Sequence, residues 1–168
     1  MKITCQLPSA ERLHEVLVYN ADTGALVWAK YSRRVQAGST AGHCDRLSGY
    51  IVVWVDGKNY RAHRIAWKLH YGVDPVGEMD HVNGNRSDNR IANLRCCSPA
   101  ENLWNSKTRR DSSTGYKGVT YQKRSGKFVA RIATNKTQKY LGLFEEASMA
   151  HEAYRNASKV LHGTFSRT

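Results

Sequence analysis

The amino-acid sequence predicts an α+β protein in which small antiparallel sheets pack against single helices. Residues 49–55 form an apolar strand segment, and the turn residues Asp56 and Gly57 join it to a return strand over 58–62. Three short strand segments follow one another within 117–143, separated by turn residues. Residues 145–162 then repeat alanine and larger apolar residues at steps of three and four, which is typical of an amphipathic helix.

The charge of the chain favours a polyanionic partner. The 168 residues include 26 Lys and Arg against 14 Asp and Glu, a net charge of +12. Residues 105–168 alone carry thirteen basic and four acidic residues, a net +9. Basic side chains near phosphates release bound counterions, so this concentration of charge predicts nucleic-acid binding by the C-terminal third. The simpler interpretation is a basic surface that only keeps the chain in solution.

Several classes of protein are disfavoured by the same sequence. The four cysteines, Cys5, Cys44, Cys96 and Cys97, form no C-x-x-C pair, so we expect reduced thiols and no structural zinc site. No apolar run approaches the roughly 20 residues of a membrane span. The N-terminus lacks the apolar centre of a signal peptide. We therefore expect a cytoplasmic protein without a membrane partner.

The elements before residue 78 follow from local signals. Ser9 can cap a helix over 9–19, a short strand is predicted over 25–30, and residues 31–48 are polar and predicted to be a loop. A second helix over 63–71 is predicted to end at Gly72.

Residues 78–105 predict a hairpin followed directly by a helix. A short strand near Asp80, a turn through 83–85 and a second strand over 93–97 form the hairpin. Ser98 and Glu101 then form a capping box, with proline at the first helical position. Asn102 falls in the first turn of that helix.

This hairpin and helix carry the residue types that phosphodiester hydrolysis needs. His81 has an imidazole whose ordinary pKa of about 6.5 suits a general base. Asp80 and Asn102 offer hard oxygen ligands of the kind that Mg²⁺ prefers. Neighbours on a regular strand point to opposite faces, so Asp80 and His81 share one site only if the strand is distorted there. The hypothesis also requires that a DNA duplex can reach these side chains.

The segment resembles the HNH nucleases of phages and mobile introns over roughly residues 49–106. The motifs that carry the resemblance are His63-Arg64, the run from Asp80 to Asn85, the run from Asp88 to Ile91, the run from Asn93 to Arg95, and Asn102 and Asn105. The resemblance implies a ββα-metal module and a DNA endonuclease. The family pattern often ends in histidine, and this sequence has Asn102 in its place.

The resemblance also implies a role for each matching residue. His81 would activate water, Asp80 and Asn102 would hold a divalent metal, Mg²⁺ with Mn²⁺ as the alternative, and Asn93 would brace the hairpin and orient the base. The products would carry 5′-phosphate and 3′-hydroxyl groups. Arg95 would stabilise phosphate charge, or else form an ion pair or remain solvated. His63 is as readily explained as a packed, hydrogen-bonded histidine.

The chain divides into four predicted segments. Residues 1–48 form an N-terminal extension, 49–106 the nuclease domain, 107–114 a basic linker without apolar residues, and 115–168 a second domain.

The second domain resembles the APETALA2-type domain of plant ethylene-response factors. The matching segments include 115–119, 126–130 and 140–144, with Tyr154 and Gly163 beyond them. The resemblance implies that a three-stranded antiparallel sheet binds the major groove of double-stranded DNA while one helix covers its other face. Alternation along the strands, with Val119 and Tyr121 inward, places the DNA-face candidates on one side: Lys117, Thr120, Gln122, Arg124, Arg131, Gln138 and Tyr140.

Three functions compete at this point. The leading hypothesis is a metal-dependent endonuclease that a tethered C-terminal domain directs to DNA, acting as a monomer or weak dimer and nicking one strand. The alternative is a non-catalytic DNA-binding or phage DNA-packaging accessory protein. A structural RNA-binding protein would match the charge but leaves Asp80, His81, Asn93 and Asn102 unexplained.

Overall fold

A computed structural model describes residues 6–31, 35–109, 111–134 and 137–167. The chain folds into two compact units, Met1–Cys97 and Ser98–Thr168, and each is considered by itself. Their boundary falls before the helix that contains Asn102, whereas the sequence places the end of the nuclease domain at residue 106. The predicted domain bounds stay a proposal.

The first unit combines helices with short antiparallel strands. Its elements are α1 (Ala10–Val16), β1 (Leu17–Tyr19), β2 (Leu26–Trp28), β3 (His43–Cys44), β4 (Ile51–Val55), β5 (Lys58–Arg61), α2 (Ala62–Tyr71), β6 (Glu78–His81), a 3-10 turn (Ile91–Asn93) and β7 (Leu94–Cys97). Strands pair in the order β3-β4-β5, with separate pairs β1-β2 and β6-β7.

The N-terminal segment is an integral part of this unit. Leu13 and Leu17 are buried in one core with Val53 of β4 and Ile65 of α2. The predicted first helix ends three residues early because residues 17–19 pair with β2 instead. Tertiary pairing therefore overrides the helical spacing at this point.

The turn between β4 and β5 has the predicted geometry. Asp56 and Gly57 have φ angles of 47° and 81°, as a two-residue turn with left-handed positions requires. Helix α2 then begins directly after β5 and ends at Gly72, which is left-handed with φ 76°. The hairpin of β6 and β7 packs on α2 through Met79, Leu94 and Ala66.

The second unit contains a three-stranded antiparallel sheet covered by a helix. Its elements are α3 (Pro99–Trp104), β8 (Val119–Gln122), β9 (Lys127–Ala133), β10 (Gln138–Phe144), α4 (Ala147–His162) and a 3-10 turn (Gly163–Phe165). The strand order is β10-β9-β8. Val119 and Ala130 pack against Ala150 of α4. The turn predicted at residues 135 and 136 lies outside the described residues.

In the second unit, the predicted capping box is confirmed, whereas Tyr121 is more exposed than the sequence predicts. The capping box at the start of α3 is present, with Ser98 and Glu101 bonded reciprocally. Tyr121, expected to face inward, contacts Phe128 on the helix side but stays 45 % exposed. Its place on an edge strand explains this, since α4 covers the sheet only in part.

Within the described ranges, every helix is too short or too polar to span a bilayer.

Gly118 is a position where close packing and backbone conformation both require glycine. Its φ is +73°, and a Cβ there would lie 2.1 Å from Cδ2 of Tyr154 and 2.7 Å from the carbonyl oxygen of Arg131. Gly126 has a similar φ of +68°, but nothing lies within 4 Å of its Cβ position. The pair therefore separates backbone strain from steric exclusion.

We expect Gly126→Ala to lower the free energy of unfolding by about 1 kcal/mol, the cost of left-handed strain. Gly118→Ala should lower it by a further ~1–3 kcal/mol because the added methyl overpacks the contact with Tyr154. Urea unfolding of both variants measures the difference. Equal losses would show that Tyr154 moves aside freely.

Candidate active site

The hairpin that carries Asp80 and His81 is regular. Asp80 pairs with Arg95 and His81 pairs with Leu94 without a shift of register. Cross-strand partners share a face and neighbours alternate, so the two side chains leave β6 on opposite faces. The distortion that would bring them to one face of the strand is not observed, because the paired hairpin holds both strands extended.

On one face, Asp80 and Arg95 form an ion pair. The carboxylate oxygen Oδ2 of Asp80 accepts hydrogen bonds from Nε and an Nη atom of Arg95 at 2.8 and 2.6 Å. Both side chains are largely buried, with exposed fractions of 7 % and 17 %. Of the three roles that the sequence leaves open for Arg95, ion pairing is the one observed.

On the other face, His81 lies among polar and aromatic side chains of three segments. Its ring centroid is 5.1 Å from that of His63 on α2 and 5.8 Å from that of Tyr50. Its Nε2 lies 3.3 Å from Oδ1 of Asn89. With this amide oxygen accepting, the hydrogen is on Nε2 and the basic lone pair on Nδ1. The residue is 3 % exposed.

Burial keeps this imidazole neutral. It lowers the pKa of His81 below its ordinary value of 6.5, although Asn89 and Asp80 partly oppose the shift. Burial also lowers the pKa of His63 well below the same value, and the neighbouring His81 adds to the effect. Both rings are therefore uncharged at neutral pH, and His81 can accept a proton there.

Asn93 organises the loop between the two strands. Its Oδ1 accepts from the backbone N–H of Asn83 at 2.9 Å, and its Nδ2 donates to the carbonyl of Asp88 at 2.8 Å. Its own carbonyl accepts from the N–H of Val82. One side chain thus fixes both ends of the loop, and Asn89 follows directly at the second of them.

Two arginines beside His81 were not singled out by the sequence. The guanidinium carbons of Arg61 and Arg86 lie 4.0 and 5.0 Å from the ring centroid of Tyr50. Among the described residues neither guanidinium forms an ion pair. Arg86 donates to the carbonyl of Ser48 at 2.9 Å. Arg61 could have been found from the sequence, because it lies two residues before His63 of the matching motif. Arg86 lies in a polar turn, where nothing in the sequence marks it.

Asn102 lies in the first turn of α3, within the second unit. Its N–H donates to the carbonyl of Ser98, and the capping box fixes the start of the helix. The side-chain oxygen of Asn102, like the carboxylate of Asp80 in the first unit, is of a chemical type that suits Mg²⁺. Within the parts of the chain that the structure describes, no three His, Cys, Asp or Glu side chains cluster as metal ligands.

The sheet of the second unit presents most of the DNA-face candidates on one side. The register pairs Thr120 with Val129, Arg131 with Tyr140, and Ala133 with Gln138. These residues alternate with the ones that pack on α4. The exposed candidates are Thr120, Gln122, Arg131, Gln138 and Tyr140, and Arg124 is exposed in the turn after β8.

Lys117 is a correction to that set. Its Nζ donates to the backbone carbonyls of Trp104, Ser106 and Arg167. Burial lowers the pKa of Lys117 to about 8. Lys117 lies two residues before Val119, the first residue of β8, so strand alternation would group it with the inward-facing Val119 and not with the DNA face.

Comparison with known proteins identifies this part of the chain. Residues 60–103 match the family model of the HNH endonucleases. The chain is also 30 % identical over 108 residues to "Protein 3.8" of Escherichia phage T7, a match that covers 64 % of this chain and 88 % of that protein. The chain therefore belongs to the family of this phage protein, and its residues 60–103 are similar to the HNH endonucleases.

Proposed function

We propose that the protein is a metal-dependent DNA endonuclease whose C-terminal domain, an APETALA2-type module, targets it to double-stranded DNA. One observation carries this proposal: residues 60–103 hold a neutral, buried imidazole, His81, whose neighbour Tyr50 contacts two guanidinium groups, and neither of these has an acidic partner among the described residues. A proton acceptor beside unpaired positive charge is what hydrolysis of a phosphodiester requires.

His81 would act as the general base. Its lowered pKa leaves the ring unprotonated at neutral pH, and the bond to Asn89 directs the lone pair on Nδ1 away from that amide. It would take a proton from a water molecule. The oxygen of that water attacks phosphorus, and the attack breaks the bond between phosphorus and the 3′ oxygen. The ring is 3 % exposed, so phosphate would have to approach from the side of the exposed Arg86, with a local opening there.

Asp80 and Asn102 would hold the divalent metal, Mg²⁺ with Mn²⁺ as the alternative. When bound, such an ion neutralises charge on the phosphate and on the departing oxygen. Arg95 would orient the Asp80 carboxylate through their ion pair.

Arg61 and Arg86 would bind a phosphate of the DNA backbone. Both are held against the ring of Tyr50, which restricts their motion without neutralising their charge. Guanidinium groups bind phosphate oxygens through paired N–H donors. With one general base, His81, per chain, the protein would cut one DNA strand at each encounter and leave 5′-phosphate and 3′-hydroxyl ends.

The outer face of the C-terminal sheet would contact the major groove. Its exposed arginine and glutamine side chains are suited to base edges. A groove of about 510 Å³ adjoins this face, and its lining includes Lys107, Arg109 and Arg131 but only one acidic residue, Asp111. The basic linker, residues 107–114, and the sheet would therefore bind the same nucleic acid.

Replacement of the proposed base is the central test. His81→Ala should reduce Mg²⁺-dependent plasmid cleavage by about 10²–10⁴-fold, the usual contribution of a general base. In the wild type the rate should rise with pH through the His81 pKa, below 6.5, and level off by neutral pH, because only the unprotonated ring accepts a proton.

His14→Ala, which removes an exposed histidine from α1 of the same unit, is the matched control. Unchanged cleavage by His81→Ala would remove the base assignment. Binding of DNA without cutting under any divalent metal would favour a non-catalytic DNA-binding or packaging accessory protein.

The arginines beside Tyr50 give a second test. Arg86→Gln should lower the single-turnover rate at saturating DNA by roughly tenfold, because a donor to the reacting phosphate is lost. Arg12→Gln removes the same charge from an exposed pair with Asp56 and Glu15, and its rate should equal that of the wild type. Equal rates for both variants would place Arg86 outside the site.

The sheet face gives a third test. Arg131→Ala should weaken DNA binding and reduce the slope of log K against log salt by about 1, as loss of one phosphate or base contact would. Arg155→Ala removes an equal charge from the exposed side of α4 and should leave the slope almost unchanged. Fluorescence anisotropy at several salt concentrations distinguishes them. Equal effects would show that the sheet has no privileged role.

A further inference from the structure

Within the second unit, the end of α3 is held by a half-buried lysine. Lys117 Nζ donates to the carbonyl oxygens of Trp104 at 2.5 Å, Ser106 at 2.7 Å and Arg167 at 3.2 Å. The carbonyls at a helix C-terminus lack intrahelical partners and carry partial negative charge, so an ammonium group there is both a donor and a countercharge. A lysine held in this way is committed to the fold and cannot serve the DNA face.

An aromatic stack holds the same helix end. The Trp104 and His162 rings lie 4.3 Å apart and are nearly parallel, at 7°. His162 Nε2 donates to the carbonyl of Ala133 at 2.7 Å, and its Nδ1 accepts from Ser158 at 3.2 Å. The imidazole is thereby fixed between β9 and α4, and it presents a rigid surface to the indole.

Together these contacts define an anchor made of Trp104, Lys117 and His162. It joins the last turn of α3 to Lys117, two residues before β8, to the end of α4 and to the C-terminal segment. The connection from α3 to the sheet is therefore fixed at both ends, although residues 106–115 contain no apolar side chain. A tether that only raises local concentration would need no such contacts.

We propose that this anchor makes α3 part of the DNA-binding module, so that Trp104, Lys117 and His162 are positioning residues that set the orientation of Asn102. This inference rests on the proposed function, in which Asn102 is a metal ligand. Asn102 precedes Trp104 by two residues on one short helix, so a rotation of the helix end is transmitted directly to its side chain. The body that binds DNA would thereby also orient a metal ligand.

Lys117→Met tests the anchor because it keeps the aliphatic stem and removes the ammonium group. Hydrogen exchange in peptides spanning residues 98–106 should become at least about tenfold faster, with exchange in β9 unchanged. The Mg²⁺ concentration for half-maximal cleavage should rise several-fold, the rate at saturating Mg²⁺ should recover, and DNA affinity should stay within about twofold of the wild type.

Two further variants keep the test decisive. Lys159→Met removes the same charge from an exposed position of α4 and should change none of these quantities. Trp104→Leu removes the stack without removing the lysine, and it should reproduce the exchange and Mg²⁺ effects if Lys117→Met does not fold.

The outcomes distinguish a failure of the anchor proposal from a failure of the proposed nuclease function. Unchanged exchange in α3 for both anchor variants would overturn the anchor, and faster exchange with an unchanged Mg²⁺ requirement would overturn its positioning role. A wild-type protein that cuts no DNA with any divalent metal would refute the proposed function and the positioning role together. The exchange data would then still decide whether the anchor holds α3.

Discussion

The rest of the first unit depends on the burial of His81 between the β6–β7 hairpin and α2. An imidazole withdrawn from water loses stability in its charged form, so the ring stays neutral near pH 7. Met79 and Leu94 on the same face pack against Ala66 and hold the hairpin to the helix. The core that stabilises the unit therefore also sets the protonation state of its principal polar group.

This arrangement explains why asparagines surround the histidine. Asn93 satisfies backbone groups at both ends of the loop, and Asn89 bonds to the ring with a neutral amide. A carboxylate in place of the Asn89 amide would raise the pKa of His81 and oppose the effect of burial. Amides orient the ring and leave it basic, which a proton acceptor at neutral pH requires.

Much of the fold could be predicted from local sequence signals. The Asp56-Gly57 turn, the end of α2 at Gly72 and the Ser98–Glu101 capping box each depend on neighbouring residues alone. The early end of α1 could not be predicted in this way, since β1 exists only because β2 pairs with it. Local patterns do not report partners that are distant in the chain.

For the site residues too, local sequence signals predict some placements, and contacts with distant parts of the chain decide the others. Asp80 and His81 are adjacent in sequence, and their opposite faces follow from strand geometry once the hairpin is regular. Lys117, two residues before β8, was misplaced because three backbone carbonyls capture its ammonium group, and two of them, those of Trp104 and Arg167, are distant in the chain. Arg86 entered the surroundings of His81 through a loop whose shape Asn93 determines.

Burial has a different consequence in each unit, and the difference lies in what the buried group meets. His81 meets neutral amides and aromatic rings, so it keeps a basic lone pair. Lys117 meets backbone carbonyls, so its ammonium group is solvated by the protein and acts as a structural cation. Its lowered pKa of about 8 still leaves most of the group charged at pH 7. Lys117 therefore stabilises the fold by binding the end of a helix. The DNA contacts of the second unit must come from the exposed face of the sheet.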